Sequence, residues 1–243
     1  MSLLPGSYLI VLTLLVIVAV ISVRARKLTL GGGITAILTG LLVFAGSGHT
    51  GIILLASFFV LGTLATSHRK DLKAKLQPEG VHPEARNAGQ VLANGGTAAL
   101  MSVLALINPA AADTYTMMLA ASLAAATADT LSSELGMVYG RNSYNILTFK
   151  KEPCGLDGVV SLEGTLLGAA GALLIALIHA AVAGFGAAIL FITLGGILGN
   201  LADSLLGASL ERKHYIGNDG VNFLNTLTGA LAALLLQLLI GLH

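Results

Sequence analysis

Charge is what this sequence has least of. Asp, Glu, Lys and Arg make up 10% of its 243 residues, while 55% are hydrophobic and the mean hydropathy is +0.87. Soluble domains carry about 25% charged residues, so an ordinary soluble core is excluded and the composition is that of a membrane protein. The lone cysteine, Cys154, excludes a disulfide framework and any cysteine-based metal site. No G-x-x-x-x-G-K-[ST] phosphate loop occurs, and Gly31-Gly32-Gly33 does not replace one. The six histidines are scattered, without zinc spacing or the setting of a serine hydrolase, and His49, His179 and His243 are expected on the outer side. A net charge of +1 offers no bulk attraction to nucleic acid. What the chain does have is glycine and alanine, which let transmembrane helices approach closely.

A spanning helix needs roughly 20 mostly apolar residues. Segments of this kind cover 5–23, 28–45, 51–66, 89–107, 115–139, 161–182, 184–210 and 221–242. The second and third are short and joined only by 46–50. Arg24, Arg26 and Lys27 follow the first segment, and Arg69, Lys70, Lys73, Lys75 and Arg86 follow the third. Arg141, Lys150 and Lys151 follow the fifth; Arg212 and Lys213 follow the seventh. Those are all 13 Lys and Arg residues. The positive-inside rule then puts every basic loop in the cytoplasm and both termini outside. The first apolar run lacks a basic n-region and is followed by Arg24-Ala25-Arg26-Lys27, so it reads as a retained anchor rather than a cleaved signal. The expectation is an all-α, polytopic helical bundle of about eight spans in the inner membrane, a single domain over 1–243.

The chain also repeats itself. Leu201–Ser209, LADSLLGAS, echoes Thr127–Leu135, TADTLSSEL; Val221–Ala230, VNFLNTLTGA, echoes Val160–Ala169, VSLEGTLLGA. Helix pairs over about 115–182 and 184–242 therefore read as parallel copies of one hairpin. Thr29–Gly33, TLGGG, is a weaker echo of the entering helix. Many transporters use inverted repeats, so a parallel one mildly disfavours that class.

Polar residues gather where the basic loops are. Asp129 and Glu134 lie roughly 18 and 10 Å before Arg141 along the fifth segment, and Asp203 lies about 13 Å before Arg212 on the seventh. Arg86, Gln90 and Asn94, spaced i, i+4, i+8, open the fourth. Asp157, Ser161 and Glu163 open the sixth. Asn218, Asp219, Asn222 and Asn225 open the eighth, with 218, 222 and 225 on one face. A single Asn or Ser serves equally well in helix–helix hydrogen bonding. Asp129, Glu134 and Asp203 at one depth are another matter, because an acid at a helix centre costs about 2.5–3.5 kcal/mol on insertion scales. Together they imply a hydrated functional cavity. Such carboxylates repel unless they bind a cation, and oxygen donors favour Mg²⁺ with phosphates completing its shell. Asp129, Glu134 and Asp203 are the candidate catalytic metal ligands. The loop Cys154–Ser161, CGLDGVVS, enters a helix N-terminus that favours anions. The run from Ser67, SHRKDLKAK, supplies Arg69 and Lys70 on a cationic flap. Asp129 and Glu134 are about 140° apart on a helix, so Glu134 is expected to reach a second metal, a basic loop residue or a nucleotide.

The blocks ADTLSSELG, GLDGVVSLEGTLLGA, ADSLLGASLE and NDGVNFLNTLTGA, with RNAGQVLANGG upstream, resemble the phytyl-phosphate kinase / transmembrane protein 19 family, domain of unknown function 92. The resemblance runs from about Arg24 to Leu239. It implies distant kinship with phytol and dolichol kinases and with CTP-dependent phosphatidate cytidylyltransferases. The implied activity is conversion of an isoprenyl monophosphate, such as phytyl or geranylgeranyl phosphate, to the diphosphate, with Mg²⁺ and a nucleoside triphosphate, CTP being the expected one. Ser133, with Arg69, Lys70, Arg86, Gln90, Asn94, Asp157, Ser161, Glu163, Asn218, Asp219, Asn222 and Asn225, is then expected around substrate or nucleotide phosphate. The partners implied are the lipid phosphate, the nucleotide and membrane lipids, and a homodimer is compatible with the reading. Gly158-Val159-Val160 replaces a commoner Gly-Gly-Val, and Glu211 stands where glutamine is frequent; neither change removes a carboxylate. A lipid cytidylyltransferase, or an ion-coupled transporter or lipid translocase, remains as an alternative.

Overall fold

The computed structural model describes residues 5–76 and 85–240. His243, expected on the outer side, lies outside the described residues. Eight α-helices run in chain order: α1 (Pro5–Arg24), α2 (Leu30–Ser67), α3 (Lys70–Leu76), α4 (Ala88–Ile107), α5 (Ala112–Tyr139), α6 (Leu162–Ala183), α7 (Ala188–Leu206) and α8 (Asn218–Ile240). The protein is an all-α polytopic membrane protein, with six helices among the described residues long and apolar enough to cross a membrane.

Helix α2 explains how six such helices agree with eight expected spans. Its 38 residues would reach roughly 57 Å if straight, nearly twice the thickness of a bilayer core. Gly48 breaks it with φ 58° and ψ −145°, a left-handed conformation that glycine adopts without penalty. The two arms fold back on each other. Lys27, just before α2, donates to the hydroxyl of Ser67 at its end, at 2.8 Å. The link between the second and third segments is thus one residue, where the sequence suggests a five-residue loop. Both arms hold helical hydrogen bonding almost to the break, as backbone in hydrocarbon must.

The remaining span is α5, at the centre. It packs against α2, α4, α6, α7 and α8, and its residues from Met117 to Ala128 are buried without interruption. This is why a helix carrying Asp129 and Glu134 has alanine where a lipid-facing helix has leucine. Small side chains let neighbours approach. A Cβ added at Gly199 would meet Asn225 backbone at 2.8 Å, and one at Gly229 would meet the Ala121 carbonyl at 2.9 Å. Close small-residue packing supplies van der Waals contact where lipid tails make hydrophobicity no driving force. The large apolar side chains face outward instead, Leu9, Ile10 and Ile21 of α1 among them.

Two local features depart from the sequence reading. The segment after α5 contains a two-stranded antiparallel ribbon, β1 (Ser143–Asn145) with β2 (Val159–Ser161), pairing Ser143 with Ser161. Strands of three residues are too short to show an alternating pattern. Asn145 turns the chain after β1 by accepting from the Leu147 and Thr148 amides at 3.0 and 3.1 Å. The end of α7 passes into a π-helical turn, Gly207–Glu211, a form found mostly as single turns near functional sites.

Candidate active site

Alternate connections meet at one end of the bundle. Leu28 and Arg86 form a parallel bridge, Lys27 reaches Ser67, and Arg212 donates to the Asp157 carbonyl at 2.6 Å. The basic loops therefore lie together, as their alternation requires. They roof a cavity of about 460 Å³.

Its floor comes from α5, α7 and α8. Asp129 and Asp203, equivalent positions in the sequence repeat, approach within hydrogen-bonding reach of each other. Asn225 is fully buried and donates to Asp203 Oδ1 at 3.5 Å. Asp157 and Glu211 are near enough to act electrostatically on this pair. Two carboxylates in contact repel unless a cation or a shared proton lies between them.

The opposite wall is cationic. Lys73, on α3, is buried and donates to Glu134 at 2.5 Å and to the Ala65 and Thr66 carbonyls at 2.9 and 2.8 Å. It thus caps the end of α2 and ties α3 to α5. Arg86 is not part of the α4 helix, which begins at Ala88 after a capping box between Asn87 and Gln90. Its backbone bridges to Lys27 and Thr29 instead, and its guanidinium lies over the Phe58 ring at 5.8 Å. Burial lowers the Arg86 pKa, and the charge of Glu134 opposes that shift.

Most of the expected residues do meet here. Arg86, Gln90, Asn94 and Lys70 line the cavity with Asp129, Ser133, Glu134 and Asp203. Asp157, Ser161, Asn218 and Asn222 close its far side. Ser161 also caps α6, accepting from Gly164 at 3.1 Å, and Asn222 is bound to Asn218 at 3.0 Å. Four candidates stand elsewhere. Glu163 accepts from the Arg141 amide at 3.3 Å, and Asp219 packs against Gly89 at the start of α4, where helix amides favour a carboxylate. Asn225 acts from beneath through Asp203. Arg69 is exposed, with φ 46°, at the joint between α2 and α3.

Sequence reasoning passed over Lys73, Asn200 and the role of Glu211, all of which line the cavity. Asn200 had a visible signal, since i, i+3 spacing puts it beside Asp203. Lys73 had none, because a buried lysine looks like its solvated neighbours until α3 is seen docked.

The donor set is all oxygen and suits a hard cation. Among the described residues, no three Asp, Glu, His or Cys side chains are gathered closely enough to hold an ion unaided. Mg²⁺ commonly uses one or two carboxylates and completes its shell with phosphates and water. The Asp129–Asp203 pair fits that mode. Glu134, committed to Lys73, is placed as a partner of the basic loop.

Fold and site thus define a helical membrane protein with a polar cavity of mixed charge at one end of its bundle. The family model described as "Integral membrane protein DUF92" matches residues 13–230, and the chain belongs to that family. It is 36% identical over 220 residues to an uncharacterized membrane protein of Methanocaldococcus jannaschii, covering 90% of each chain. It is 32% identical over 221 residues to Protein VTE6, chloroplastic, of Arabidopsis thaliana, covering 86% of this chain and 65% of that protein. An uncharacterized membrane protein of Synechocystis sp. is 31% identical over 202 residues, covering 80% and 77%. No solved structure matches the chain significantly.

Proposed function

We propose that the protein transfers the terminal phosphoryl group of a nucleoside triphosphate, CTP being the expected donor, to an isoprenyl monophosphate at the cytoplasmic face of the membrane. The observation that carries this reading is the facing pair Asp129 and Asp203 on the cavity floor, with Lys70, Lys73 and Arg86 lining the same cavity. The family resemblance supports it. A phosphate with an isoprenoid tail keeps the tail in the bilayer and brings its head to the depth of these acids.

In the reaction, an oxygen of the acceptor phosphate forms a bond to the γ-phosphorus, and the bond from that phosphorus to the β-phosphate oxygen breaks. The nucleoside diphosphate leaves with the electron pair. The acceptor's second pKa is near 6, so no strong base is required. That suits a cavity of carboxylates, amides and cations, with no histidine among its described lining residues. Phosphoryl transfer asks mainly for positioning and charge stabilisation. Asp129 and Asp203 would hold Mg²⁺, which when bound neutralises phosphate charge. Arg86 and Lys70 draw the anionic groups in; Asn94, Asn218 and Asn222 orient phosphate oxygens without adding negative charge.

Purified protein incubated with phytyl or geranylgeranyl phosphate and each nucleoside triphosphate tests this. Lipid diphosphate and nucleoside diphosphate are the expected products. Pyrophosphate with a nucleotidyl lipid would instead identify a cytidylyltransferase, and no nucleotide binding at all would point to transport.

A further inference from the structure

The opposite end of the bundle holds a second cavity, of about 640 Å³, lined by none of the active-site residues. Its polar lining includes Ser47 beside the break in α2, Asp113 and Thr116 on the first turns of α5, His179 late in α6 and Gln237 late in α8. His179 is only 6% exposed, and its Nδ1 has no hydrogen-bond partner among the described residues. Gln237 Oε1 is likewise buried without one. Native proteins rarely leave two such atoms unpaired in one place, so each calls for an explanation. Ser47 and Thr116 do not supply it, since Thr116 donates to Ser47 at 3.5 Å and Ser47 pairs with Ser102 at 3.1 Å.

Charge selects the ligand. Among the described residues no Lys or Arg lines this cavity, and Asp113, exposed at its rim, is the one carboxylate. An anion would find hydroxyl and amide donors but no Lys or Arg among the described lining, and would face the Asp113 carboxylate. A divalent ion would want several carboxylates. A quaternary ammonium would want an aromatic cage, and among the described residues Phe191 is the one aromatic ring in the lining besides the imidazole. A primary ammonium carries one positive charge and three N–H donors in a small volume. Those donors match an amide oxygen, a ring nitrogen that accepts in its Nε2–H tautomer, and a carboxylate.

We propose that this cavity binds a primary ammonium group, with His179 Nδ1 and Gln237 Oε1 accepting its N–H donors and Asp113 balancing its charge. The group belongs either to a free amine or to an aminophospholipid headgroup.

The test is thermal unfolding of the purified full chain in detergent, titrated with ethylammonium chloride against sodium chloride and tetramethylammonium chloride at equal ionic strength. A saturable rise in midpoint with ethylammonium alone is expected. Asp113→Asn and Gln237→Leu should each weaken that apparent affinity at least tenfold. Repeating the titration in phosphatidylethanolamine and phosphatidylcholine nanodiscs separates the sources: suppression by the former identifies the headgroup, and equal shifts identify a free amine. No saturable shift, an equal one with tetramethylammonium or sodium, or one undiminished in both variants would overturn the proposal.

Discussion

Lys73 and Glu134, 61 positions apart, meet at 2.5 Å with side chains only 7% and 19% exposed. The contact joins a short helix of a basic loop to the central helix and fixes one wall of the candidate active site. Removing one partner of such a pair strands the other charge, at a cost of ~3–5 kcal/mol when burial is complete. Lys73→Met is expected to lose about 3 kcal/mol, the low end of that range, because Glu134 keeps some exposure. Combining it with Glu134→Gln should restore most of the loss. Denaturant unfolding in a double-mutant cycle measures this, and additive losses would show that the pair does not couple.

Glu152 and Arg212 pin the loop before β2 to the turn after α7, at 2.8 Å. The hydrogen bond from Arg212 holds the Glu152 carboxyl below its usual value of 4.5. A carboxylate with a depressed folded pKa contributes stability that is complete above its unfolded value and lost as pH falls through the folded one. Amide exchange in residues 152–158 should therefore quicken as pH drops below about 4.5, after correction for intrinsic rates. Glu152→Gln should exchange fast at every pH, and a variant matching wild type near pH 7 would contradict the assignment.

Gly158 has φ +68°, and a Cβ there would overlap Ala208 in the π-helical turn. Left-handed strain costs on the order of 1–2 kcal/mol for a residue with a side chain, before any clash. Gly158→Ala is expected to keep the bundle folded but displace the loop carrying Asp157. Turnover should fall well below wild type while the thermal midpoint drops by only a few degrees. Unchanged turnover would mean that this contact does not shape the site.

Much of this was legible in the sequence, and the failures have physical reasons. Asp129 and Asp203 announced themselves because a carboxylate in an apolar run is expensive, and the repeat paired them. The alternation of Lys and Arg marked which loops share one end of the bundle for the same reason, since charge is confined to loops. The break at Gly48 was visible as Gly46-Ser47-Gly48, but how little chain the turn needs depends on one residue's φ and ψ. Lys73 was hidden because burial of a lysine is decided by docking. Arg86 looked helical by its spacing to Gln90 and Asn94, yet the capping box at Asn87 starts the helix after it.

Cys154 gives a natural reporter of orientation, being the one cysteine and part of the cavity lining. If the basic loops face the cytoplasm, a membrane-impermeant maleimide should label Cys154 in inverted vesicles and leave right-side-out vesicles unlabelled. A nucleoside triphosphate with Mg²⁺ should slow the labelling. The reverse sidedness would invert the proposed topology, and Cys154→Ala controls for specificity.

The most direct measurement is transfer of label from a γ-³²P nucleoside triphosphate to geranylgeranyl phosphate by wild type and Asp129→Asn, run beside thermal unfolding in detergent. The substitution keeps the shape of the side chain and removes its charge. Label in lipid diphosphate with wild type, and at least a hundredfold less with a variant whose midpoint is equal or higher, is the predicted result. A folded Asp129→Asn protein turning over at a near-normal rate would contradict the claim that the Asp129–Asp203 pair is the reactive centre.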